Sequence, residues 1–523
     1  MNETNQQVSR AMNKPTSRLI PAQIDGYGLI RPFTGAFDNL GMIKTAPTRK
    51  CSAVPGRSKI LRSIEAAIEA CGLRDGGTIS FHHHLRNGDH VLLLVLAAIA
   101  RLGLKDITIA PSSLFPVHAP ILDYINSGVV TGIATAYMIG DVARAISRGV
   151  LRKPVIMHTH GGRARAIESG DLHIDIAFIG APTADVYGNI NGVDGPSACG
   201  SLGYAAVDVQ YADWVVAITD NLVRYPACPI EITQDYVDFV LAVDLIGDRA
   251  GIVSGTTRPT SDRVGLQIAC TAAEVIAASG LLQEGFSFQT GAGGISLAVA
   301  AALKEKMLQD KIQGSFASGG ITGLIVEMLH SGLFRTLFDV QCFDLEAVES
   351  FRRDDAHLGM SASMYANPHN RGAVVNQLDT IILGATEIDV DFNVNVTTGT
   401  DGVIMGGSGG HADGAAGAKL TLITSRLNAG GYAKVVDQVG TMTTPGETVD
   451  VVVTEAGIGV NPRRTELRDR LTEAGLNVLD IDELKSLSAR GAVRPRQATT
   501  GGRPVAVVQY RDGTVSDLVT AVP

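Results

Sequence analysis

The chain of 523 residues repeats part of its own sequence, and this repeat limits the folds that it can adopt. Residues 174–191 align with residues 378–395 at an offset of 378 − 174 = 204, and seven of the 18 aligned positions are identical. The same offset aligns residues 121–130 with residues 325–334. Matches in one order at one offset are typical of tandem copies of a single fold. The alternative is that turns rich in Gly, Ala, Asp and Asn recur in any α/β protein.

The local pattern within each copy alternates between helix and strand. A third match, SFHHH (80–84) with SFQTG (287–291), has an offset of 207 and begins in a strand-like run in both copies. Apolar residues in 58–71 follow a helical period, and runs such as VVAIT (215–219) are apolar on both faces. Such strands are typical of parallel sheets covered by helices on both sides. The sequence therefore predicts an α/β fold made of two tandem, structurally similar modules.

The boundaries follow from changes in pattern along the chain. Residues 1–55 have neither a helical nor a strand period and are predicted to form an N-terminal arm. The first α/β module is predicted to span 56–255 and the second 256–523, with a turn-rich link near 246–265.

Composition excludes several classes of protein. With 44 Lys and Arg against 53 Asp and Glu, the net charge is −9 and there is no basic run, so a nucleic-acid-binding protein is not expected. The longest strongly apolar run, Val91 to Ala100, is shorter than the ~20 residues that span a bilayer, so membrane insertion is not expected. The six cysteines lie far apart without a C-x-x-C pair, which favours free thiols in a cytoplasmic protein.

Glycine-rich loops distinguish the second copy from the first. TGAGGISLAV (290–299) has a strand entering glycines and leaving as a helix, and GGSGGHADG (406–414) has no glycine run at the matching position of the first copy. Backbone N–H groups at the start of a helix favour an anion or a developing oxyanion. Tight helix–strand packing is the alternative explanation. The predicted acyl-binding glycines are Gly291, Gly293, Gly294, Gly407, Gly409 and Gly410.

Glu387 follows the strand-like run TIILGA (380–385) and stands where the first copy has Thr183. The carboxyl end of a parallel strand opens on the crevice where ligands bind. A carboxylate there can attack a thioester, or can act by charge and hydrogen bonding alone, so Glu387 is the predicted catalytic residue. A solvated loop glutamate is the alternative.

Histidines are concentrated in the first copy. On a strand, His82 and His84 share one face while His83 points away, and His158 and His160 form the same kind of pair. Four imidazoles could bind zinc, but no Asp, Glu or Cys completes an obvious ligand set with them, so no metal is predicted. Neutral core histidines remain an alternative.

Two arginines, Arg86 and Arg163, lie within the same His-rich stretches. Guanidinium groups bind carboxylates through paired hydrogen bonds. We therefore predict that His82, His84, Arg86, His158, His160 and Arg163 form an anion-recognising surface.

Several long segments resemble the citrate lyase alpha-subunit family, the citrate:acyl-carrier-protein transferases. The segments that carry the resemblance extend over nearly the whole chain: GYGLIRPFTGAF (26–37), VPGRSKILRSIEAAI (54–68), SFHHHLRNGD (80–89), HTHGGRARAIESGDLHIDIAFI (158–179), GNINGVDGPSACGSLGYA (188–205) and EAGIGVNPRRTEL (455–467). That family is related to the CoA-transferases, whose two-module α/β fold agrees with the repeat. Segments 289–299, 385–395 and 406–415 resemble their substrate-facing glycine loop, catalytic-glutamate strand and second glycine loop.

The resemblance implies a cytoplasmic transferase that works within a lyase complex. Acetyl-[acyl-carrier protein] and citrate would give citryl-[acyl-carrier protein] and acetate, and a separate beta subunit would cleave the citryl thioester to oxaloacetate. The implied partners are the beta subunit and the acyl-carrier (gamma) subunit, in a complex where this chain is homo-oligomeric. The chain would hold no covalent cofactor, because the carrier bears the CoA-like, phosphopantetheine-type prosthetic group.

Two questions stay open at this point. CoA-transferases pass the acyl group through an enzyme glutamate, whereas the citrate lyase branch exchanges it directly. The first question is therefore whether Glu387 forms a covalent bond to the acyl group or acts without one. The alternative functions are a stand-alone CoA-transferase acting on acyl-CoA and a carboxylic acid, and a catalytically silent scaffold. The presence of Glu387 and of both glycine loops weighs against a scaffold, which has no chemical use for an anion cradle.

Overall fold

The structure is a computed structural model that describes residues 18, 20–38, 44–49, 56–253, 258–291, 293–494 and 502–523. Part of the predicted arm and four residues of the predicted link lie outside this range. All strand and helix bounds below refer to the described residues.

Among the described residues, twelve strands precede residue 250 and sixteen follow it. The first twelve are β1 (Gln23–Ile24), β2 (Gly28–Leu29), β3 (Thr78–Phe81), β4 (Ile107–Pro111), β5 (Val130–Thr135), β6 (Val155–Met157), β7 (Ile176–Ala181), β8 (Thr183–Asp185), β9 (Ile190–Asn191), β10 (Trp214–Thr219), β11 (Leu222–Val223) and β12 (Phe239–Ala242). The others are β13 (Ser287–Thr290), β14 (Gly314–Ile321), β15 (Phe334–Cys342), β16 (His357–Gly359), β17 (Thr380–Gly384), β18 (Glu387–Asp389), β19 (Val394–Asn395), β20 (Leu420–Thr424), β21 (Asn428–Ala429), β22 (Tyr432–Ala433), β23 (Val435–Val436), β24 (Val451–Val453), β25 (Ile458–Val460), β26 (Val478–Leu479), β27 (Pro504–Gln509) and β28 (Val515–Thr520).

The α-helices connect these strands and cover both large sheets. They are α1 (Ile64–Cys71), α2 (Val91–Arg101), α3 (Ile121–Asn126), α4 (Asp141–Ser147), α5 (His160–Glu168), α6 (Ala205–Tyr211), α7 (Arg263–Ala278), α8 (Gly294–Asp310), α9 (Gly323–His330), α10 (Leu345–Arg353), α11 (Ala362–Ala366), α12 (His411–Gly417), α13 (Thr465–Glu473) and α14 (Ile481–Gly491). Short 3₁₀ turns occur at Arg86–Gly88, Pro116–His118, Arg249–Ile252, Val374–Gln377 and Gly446–Thr448.

The predicted first helix (58–71) begins later than its apolar period suggests. Ser63 accepts a hydrogen bond from the Ala66 N–H and caps α1, so the helix begins at Ile64. The preceding residues are extended instead, because Ile60 forms a parallel bridge with Val240 at the end of the first sheet.

The two large sheets confirm the predicted α/β fold of two similar modules. The first sheet has the order β12-β10-β7-β3-β4-β5-β6-β27-β28, and the second has the order β16-β15-β14-β13-β17-β20-β24-β25-β26. Seven consecutive strands of the first sheet, β12 to β6, correspond to β24 to β16 in the second. The 204-residue offset holds for β7 and β17, since Ile176 pairs with Ile79 where Thr380 pairs with Phe288.

That register corrects the third match from the sequence. Ile79 corresponds to Phe288, so Ser80 corresponds to Gln289 and not to Ser287. The slip is two residues, which leaves each side chain on the same face of its sheet because side chains alternate with a period of two.

The C-terminal hairpin differs from the predicted division at residue 255. β27 pairs in parallel with β6, and β28 pairs with β27, so residues 504–520 extend the first sheet rather than belonging with the rest of 256–523. β27 is apolar on both faces, and pairing with β6 buries four of its six residues. The arm covers the same hairpin, because Ile24 packs against Val507 and Val515.

Apolar residues from both sheets and their helices form one continuous core. In the part of the chain that the structure describes, no helix combines the length and apolarity that crossing a membrane requires.

Candidate active site

A cavity of about 430 Å³ lies where the carboxyl ends of strands from both sheets face each other. The first sheet contributes residues that follow β3, β4, β5 and β6, and the second contributes residues at the ends of β13, β15 and β17. Ligands of parallel sheets bind at such carboxyl ends. The wall residues are His83, Arg86, Ser113, Phe115, Tyr137, His160, Tyr204, Gln289, Thr290, Gly291, Gly320, Val340, Gln341, Phe343, Tyr365, Leu383, Gly384, Ala385, Thr386, Val396, Met405, Gly406, Gly407, Ser408, Gly409, Gly410 and His411.

The glycine loop 406–410 of the second module forms one wall and is bound to the first module by its backbone. Met138 N donates to Gly406 O at 3.2 Å, and His160 N donates to Gly409 O at 2.8 Å. Gly409 has φ +50°, and a Cβ there would lie 3.3 Å from the Nε2 of His160. A Cβ on Gly407 would clash with Ala136 O of the first module. Glycine is therefore required for the close approach of the two modules at this wall.

Asp413 strengthens the same contact from behind the cavity. Its buried carboxylate accepts hydrogen bonds from Thr159 Oγ1 and from the Gly161 N–H, both at 2.8 Å. These donors lie at the start of α5, whose first residue is His160. Burial raises the pKa of Asp413 to about 6. Asp413 thus holds the start of α5 against α12, and with it the position of His160.

Three aromatic rings of the first module form the facing wall. His83 and His160 both lie 4.6 Å from the Tyr204 ring, measured between centroids. Burial and the neighbouring His160 lower the pKa of His83, and burial with the nearby Arg163 lowers the pKa of His160 to about 3. Both imidazoles are therefore neutral at pH 7. Each neutral ring has one donor and one acceptor nitrogen, and His83 Nδ1 already bonds to Ser112 Oγ. Neither ring adds positive charge.

His411 lies at the start of α12 and closes the second-module side. One ring nitrogen bonds to Gly384 O at 2.8 Å and the other bonds to Thr444 Oγ1 at 2.7 Å. Burial lowers the pKa of His411 to about 4. With both nitrogens engaged, this side chain shapes the wall and does not titrate near neutrality.

Arg86 is the only side chain with a full charge at neutral pH among the described residues that line the cavity. Its guanidinium carbon lies 5.1 Å from the Phe115 ring and 4.9 Å from the Phe343 ring, so one aromatic residue of each module holds it by cation–π contact. A fixed, dehydrated guanidinium is well suited to bind a carboxylate through paired hydrogen bonds. Arg86 and His160 are the two predicted anion-binding residues that the structure brings to the cavity.

Arg163 does not line the cavity, which corrects the prediction that it belongs to an anion-binding surface. Its Nη1 and Nη2 atoms bind both carboxylate oxygens of Asp208 at 2.8 Å, and Nη2 also donates to Ala110 O at 2.8 Å. Burial by itself would raise the pKa of Asp208, but Arg163 and His82 hold it below its ordinary value. Both partners are buried, so Arg163 braces the first module.

The other three histidines also lie away from the cavity. The His82 and His84 rings stack at 5.8 Å, as predicted for residues on one face, but their face points to Asp208, whose Oδ2 is 3.1 Å from His82 Nε2. His158 is buried outside the wall. β3 ends at Phe81, before the three histidines, and the residue that lines the cavity is His83, which was predicted to point away.

Glu387 is fully buried beneath the wall formed by Ala385 and Thr386. Its Oε2 accepts hydrogen bonds from Gly440 N at 2.8 Å and from Asn395 Nδ2 at 3.2 Å. Glu387 is not among the wall residues. Its catalytic role therefore stays a prediction.

The first glycine loop reaches the cavity at one position. Gly291 lies on the wall, and its N–H already donates to Ile382 O at 2.8 Å. Gly293 and Gly294 begin α8 behind the wall. The second loop, with Gly407, Gly409 and Gly410 on the wall, is therefore the better candidate for a backbone cradle.

Several wall residues were missed from the sequence. Gln289 donates to the Tyr365 hydroxyl at 2.7 Å, and Gln341 donates to the His83 carbonyl at 2.7 Å across the two modules. The glutamines and Tyr204 lie in ordinary strand and helix patterns, and no local signal separates them from core residues. The alternation in SFHHH could have indicated His83 only together with the direction of the cavity.

Two groups in the described chain have the chemistry of metal ligands. Asp339, Cys342 and His357 are buried together, and the exposed set consists of His173, Asp175 and Asp213. In the buried group, Asp339 Oδ2 already accepts hydrogen bonds from the Cys342 thiol at 3.0 Å and from His357 Nε2 at 3.1 Å. These bonds satisfy the group without an ion.

Comparisons with known proteins agree with this architecture. The family model described as citrate lyase, alpha subunit, matches residues 57–522. The citrate lyase alpha chains of Haemophilus influenzae and Escherichia coli are 47% and 46% identical, over 89% and 92% of this chain and 93% and 95% of their own lengths.

Solved structures show the same relationship. A putative alpha subunit of citrate lyase from Streptococcus mutans, solved in complex with citrate, superposes with a TM-score of 0.93 at 46% identity, covering 98% of this chain and 100% of that chain. A Pseudomonas malonate decarboxylase hetero-tetramer shares the fold alone, with a TM-score of 0.62 at 16% identity, over 84% of this chain and 96% of that one. The chain thus belongs to the citrate lyase alpha-subunit family.

Proposed function

We propose that the cavity between the two modules binds citrate beside a carrier-bound acetyl thioester and exchanges the acyl groups. The products are citryl-[acyl-carrier protein] and acetate, which makes the chain the transferase component of a citrate lyase. The observation that carries this proposal is the position of Arg86, which among the described wall residues is the one charged side chain beside neutral polar and apolar groups.

Citrate recognition rests on this imbalance of charge. Citrate carries up to three carboxylates, and Arg86 can pair with one of them through two hydrogen bonds. The neutral wall supplies further donors, including the second Nε2–H of Gln341 and the hydroxyl of Ser408. The bound citrate of the Streptococcus mutans relative supports the assignment of a tricarboxylate.

In this mechanism no group of the enzyme forms or breaks a covalent bond. A citrate carboxylate oxygen attacks the thioester carbonyl carbon, and the C–S bond breaks to release the carrier thiolate and a mixed acetyl–citryl anhydride. The thiolate then attacks the citryl carbonyl carbon, the anhydride C–O bond breaks, and acetate leaves. The enzyme aligns the two reactants and stabilises each oxyanion, which can supply several kcal/mol.

The glycine loop 406–410 is the proposed oxyanion site. Its glycines allow a carbonyl group to approach the backbone, and the loop belongs to a wall from which water is displaced when substrate binds. The Gly409 N–H already donates to Ala136 O at 3.2 Å, so the donors would come from other residues of the loop.

The thioester arrives on a partner. A CoA-like, phosphopantetheine-type arm on the acyl-carrier (gamma) subunit would present its thioester to the cavity, and a beta subunit would cleave the citryl product to oxaloacetate. The chain would itself hold no covalent cofactor.

Glu387 fits a positioning role better than a nucleophilic one. Its hydrogen bonds to Gly440 N and Asn395 Nδ2 brace the strand whose preceding residues, Ala385 and Thr386, form the wall. A stand-alone CoA-transferase that forms an acyl-glutamyl intermediate would need this carboxylate on the wall.

The test is to incubate the purified chain with acetyl-carrier protein and a panel of carboxylic acids, and to weigh the carrier by mass spectrometry. We expect citrate to convert the acetyl-carrier into the citryl-carrier, with release of acetate, and Arg86→Leu to slow the conversion at low citrate. A carrier mass that stays at acetyl with every acid would refute the proposal. Faster exchange with acetyl-CoA than with the carrier would instead favour the stand-alone enzyme.

A further inference from the structure

Each module has a small three-stranded sheet, β11-β8-β9 in the first and β19-β18-β23 in the second. The edge strand β11 is uncovered, whereas the equivalent edge strand β23 is covered. In both modules, a short strand pairs in parallel with the strand that follows the repeat's central strand. Leu222 of β11 pairs with Ala184, and Val435 of β23 pairs with Ile388, which is 204 residues after Ala184. Leu222 and Val435 are therefore equivalent positions.

In the second module, α14 covers this edge. Leu484 of α14 packs against Val435 and Leu427, and Val435 is only 1% exposed. One turn later, the Ser488 hydroxyl oxygen accepts hydrogen bonds from the N–H groups of Lys434 and Val435, at 2.9 and 3.1 Å. The Lys434 N–H also donates to Leu427 O at 2.9 Å, so the N–H group of the edge strand that depends on Ser488 is that of Val435. The helix thus buries the apolar side chain and satisfies this outward N–H group, both of which favour association when exposed.

The equivalent edge of the first module has no such cover among the described residues. Leu222 is 39% exposed, and beside it Tyr187 and Tyr225, whose rings meet edge to face at 5.1 Å, are 53% and 54% exposed. Val186 adds a fourth exposed apolar side chain. A contiguous group of this kind is typical of an interaction site, whereas single exposed apolar residues are common everywhere. We call these four residues the β11 patch.

We propose that the β11 patch binds an amphipathic helix of another subunit of the lyase, in the way that α14 covers β23. The helix carries an apolar side chain of leucine size, which packs on Leu222, and a small hydroxyl side chain four residues later, which accepts from the edge strand. Arg224 is exposed beside the patch, so an acidic side chain on the flank of the helix fits its charge.

The occupant is the citryl-cleaving subunit, an inference that rests on the proposed function. The acyl carrier must leave the transferase cavity to deliver its thioester to the next site, so its contact with this chain is transient. A permanent apolar contact on the β11 patch would hold the carrier in place, whereas a permanent partner benefits from it. The two aromatic side chains and Arg224 are the residue types that dominate such stable interfaces.

The experiment uses the full chain and the separately purified cleavage and carrier subunits of its lyase. Leu222→Glu places a charge where the helix would pack, and Arg224→Glu reverses the flanking charge. Leu308→Glu is the matched control, because Leu308 is 46% exposed on α8 of the other module. Melting temperatures check that each variant folds, and binding of each subunit is measured by surface plasmon resonance.

We expect Leu222→Glu to raise the Kd for the cleavage subunit at least tenfold and Arg224→Glu to raise it less, while Leu308→Glu changes neither Kd. Binding of the carrier and its acyl exchange with the isolated chain should be unchanged in all three. An unchanged Kd for the cleavage subunit in Leu222→Glu overturns the inference, as does a selective loss of carrier binding. So does a change in the mass of the isolated chain by light scattering, which would make the patch a contact between copies of this chain. A parent chain without acyl exchange would count against the proposed function alone.

Discussion

Replacing Arg163 by leucine separates a structural arginine from a substrate-binding one. Arg163 makes two hydrogen bonds to Asp208 and one to Ala110 O, each at 2.8 Å, and the ion pair is buried. Removing one partner of a buried pair leaves an uncompensated charge, which typically costs about 3–5 kcal/mol of unfolding free energy. We therefore expect Arg163→Leu to destabilise the chain by about this amount and to leave the citrate KM of the folded enzyme unchanged.

The pH dependence of this loss has a defined sign. In the parent chain the pKa of Asp208 lies below its ordinary value, so the pair stabilises the fold above about pH 4 and this contribution is lost as the pH falls through the folded pKa. Without Arg163, burial raises the pKa of Asp208, and protonation relieves the buried charge in acid. The difference between variant and parent is therefore largest at neutral pH and narrows as the pH falls.

Urea unfolding followed by circular dichroism at pH 7.5 and pH 5 measures the loss, and two-substrate kinetics on the same preparation measure KM. Asp208→Asn in the Arg163→Leu background is the control, because it removes the stranded charge and should restore a large part of the lost stability. An unchanged unfolding midpoint together with a selectively raised citrate KM would refute the structural assignment and return Arg163 to citrate binding.

Four further outcomes test the cavity. Arg86→Leu should raise the citrate KM by about 10- to 100-fold, the equivalent of 1.5–3 kcal/mol for a lost charge-assisted hydrogen bond, with a smaller effect on the acyl-donor KM; equal effects on both would argue against a citrate contact. Gly409→Val should abolish exchange while circular dichroism stays unchanged, because its φ is +50° and its Cβ would press on His160; an active variant contradicts this. The lowered pKa values of about 3 for His160 and about 4 for His411 mean that stability is full above about pH 6.5 and declines as the pH falls from there toward those values, as a urea series at decreasing pH would reveal. Glu387→Gln keeps an oxygen acceptor and should retain activity within about tenfold if Glu387 positions the wall, whereas loss of at least ~10²-fold with acyl-enzyme trapped by hydroxylamine would establish a nucleophile.

Local patterns in the sequence determined the elements of the fold and their duplication. The strand–helix alternation follows from the period of apolar residues. The match of 174–191 with 378–395 identified β7 and β17 as equivalent strands of the two sheets, because an aligned repeat has the same register in both copies. The rings of His82 and His84 stack, as expected for residues that share a face, although β3 ends at Phe81 and the three histidines follow the strand instead of lying on it.

Only the tertiary structure decided which groups meet. Arg163 pairs with Asp208, which is 45 residues away, and no spacing rule connects them. The C-terminal hairpin follows the second module in the chain, but it belongs to the first sheet because β27 pairs with the edge strand β6. His83 lines the cavity together with His160 and Gly409, and the last two are joined across the modules by the hydrogen bond from His160 N to Gly409 O. Contacts between distant segments depend on the packing of whole elements, and this information is not carried by the period or spacing of residues within one segment.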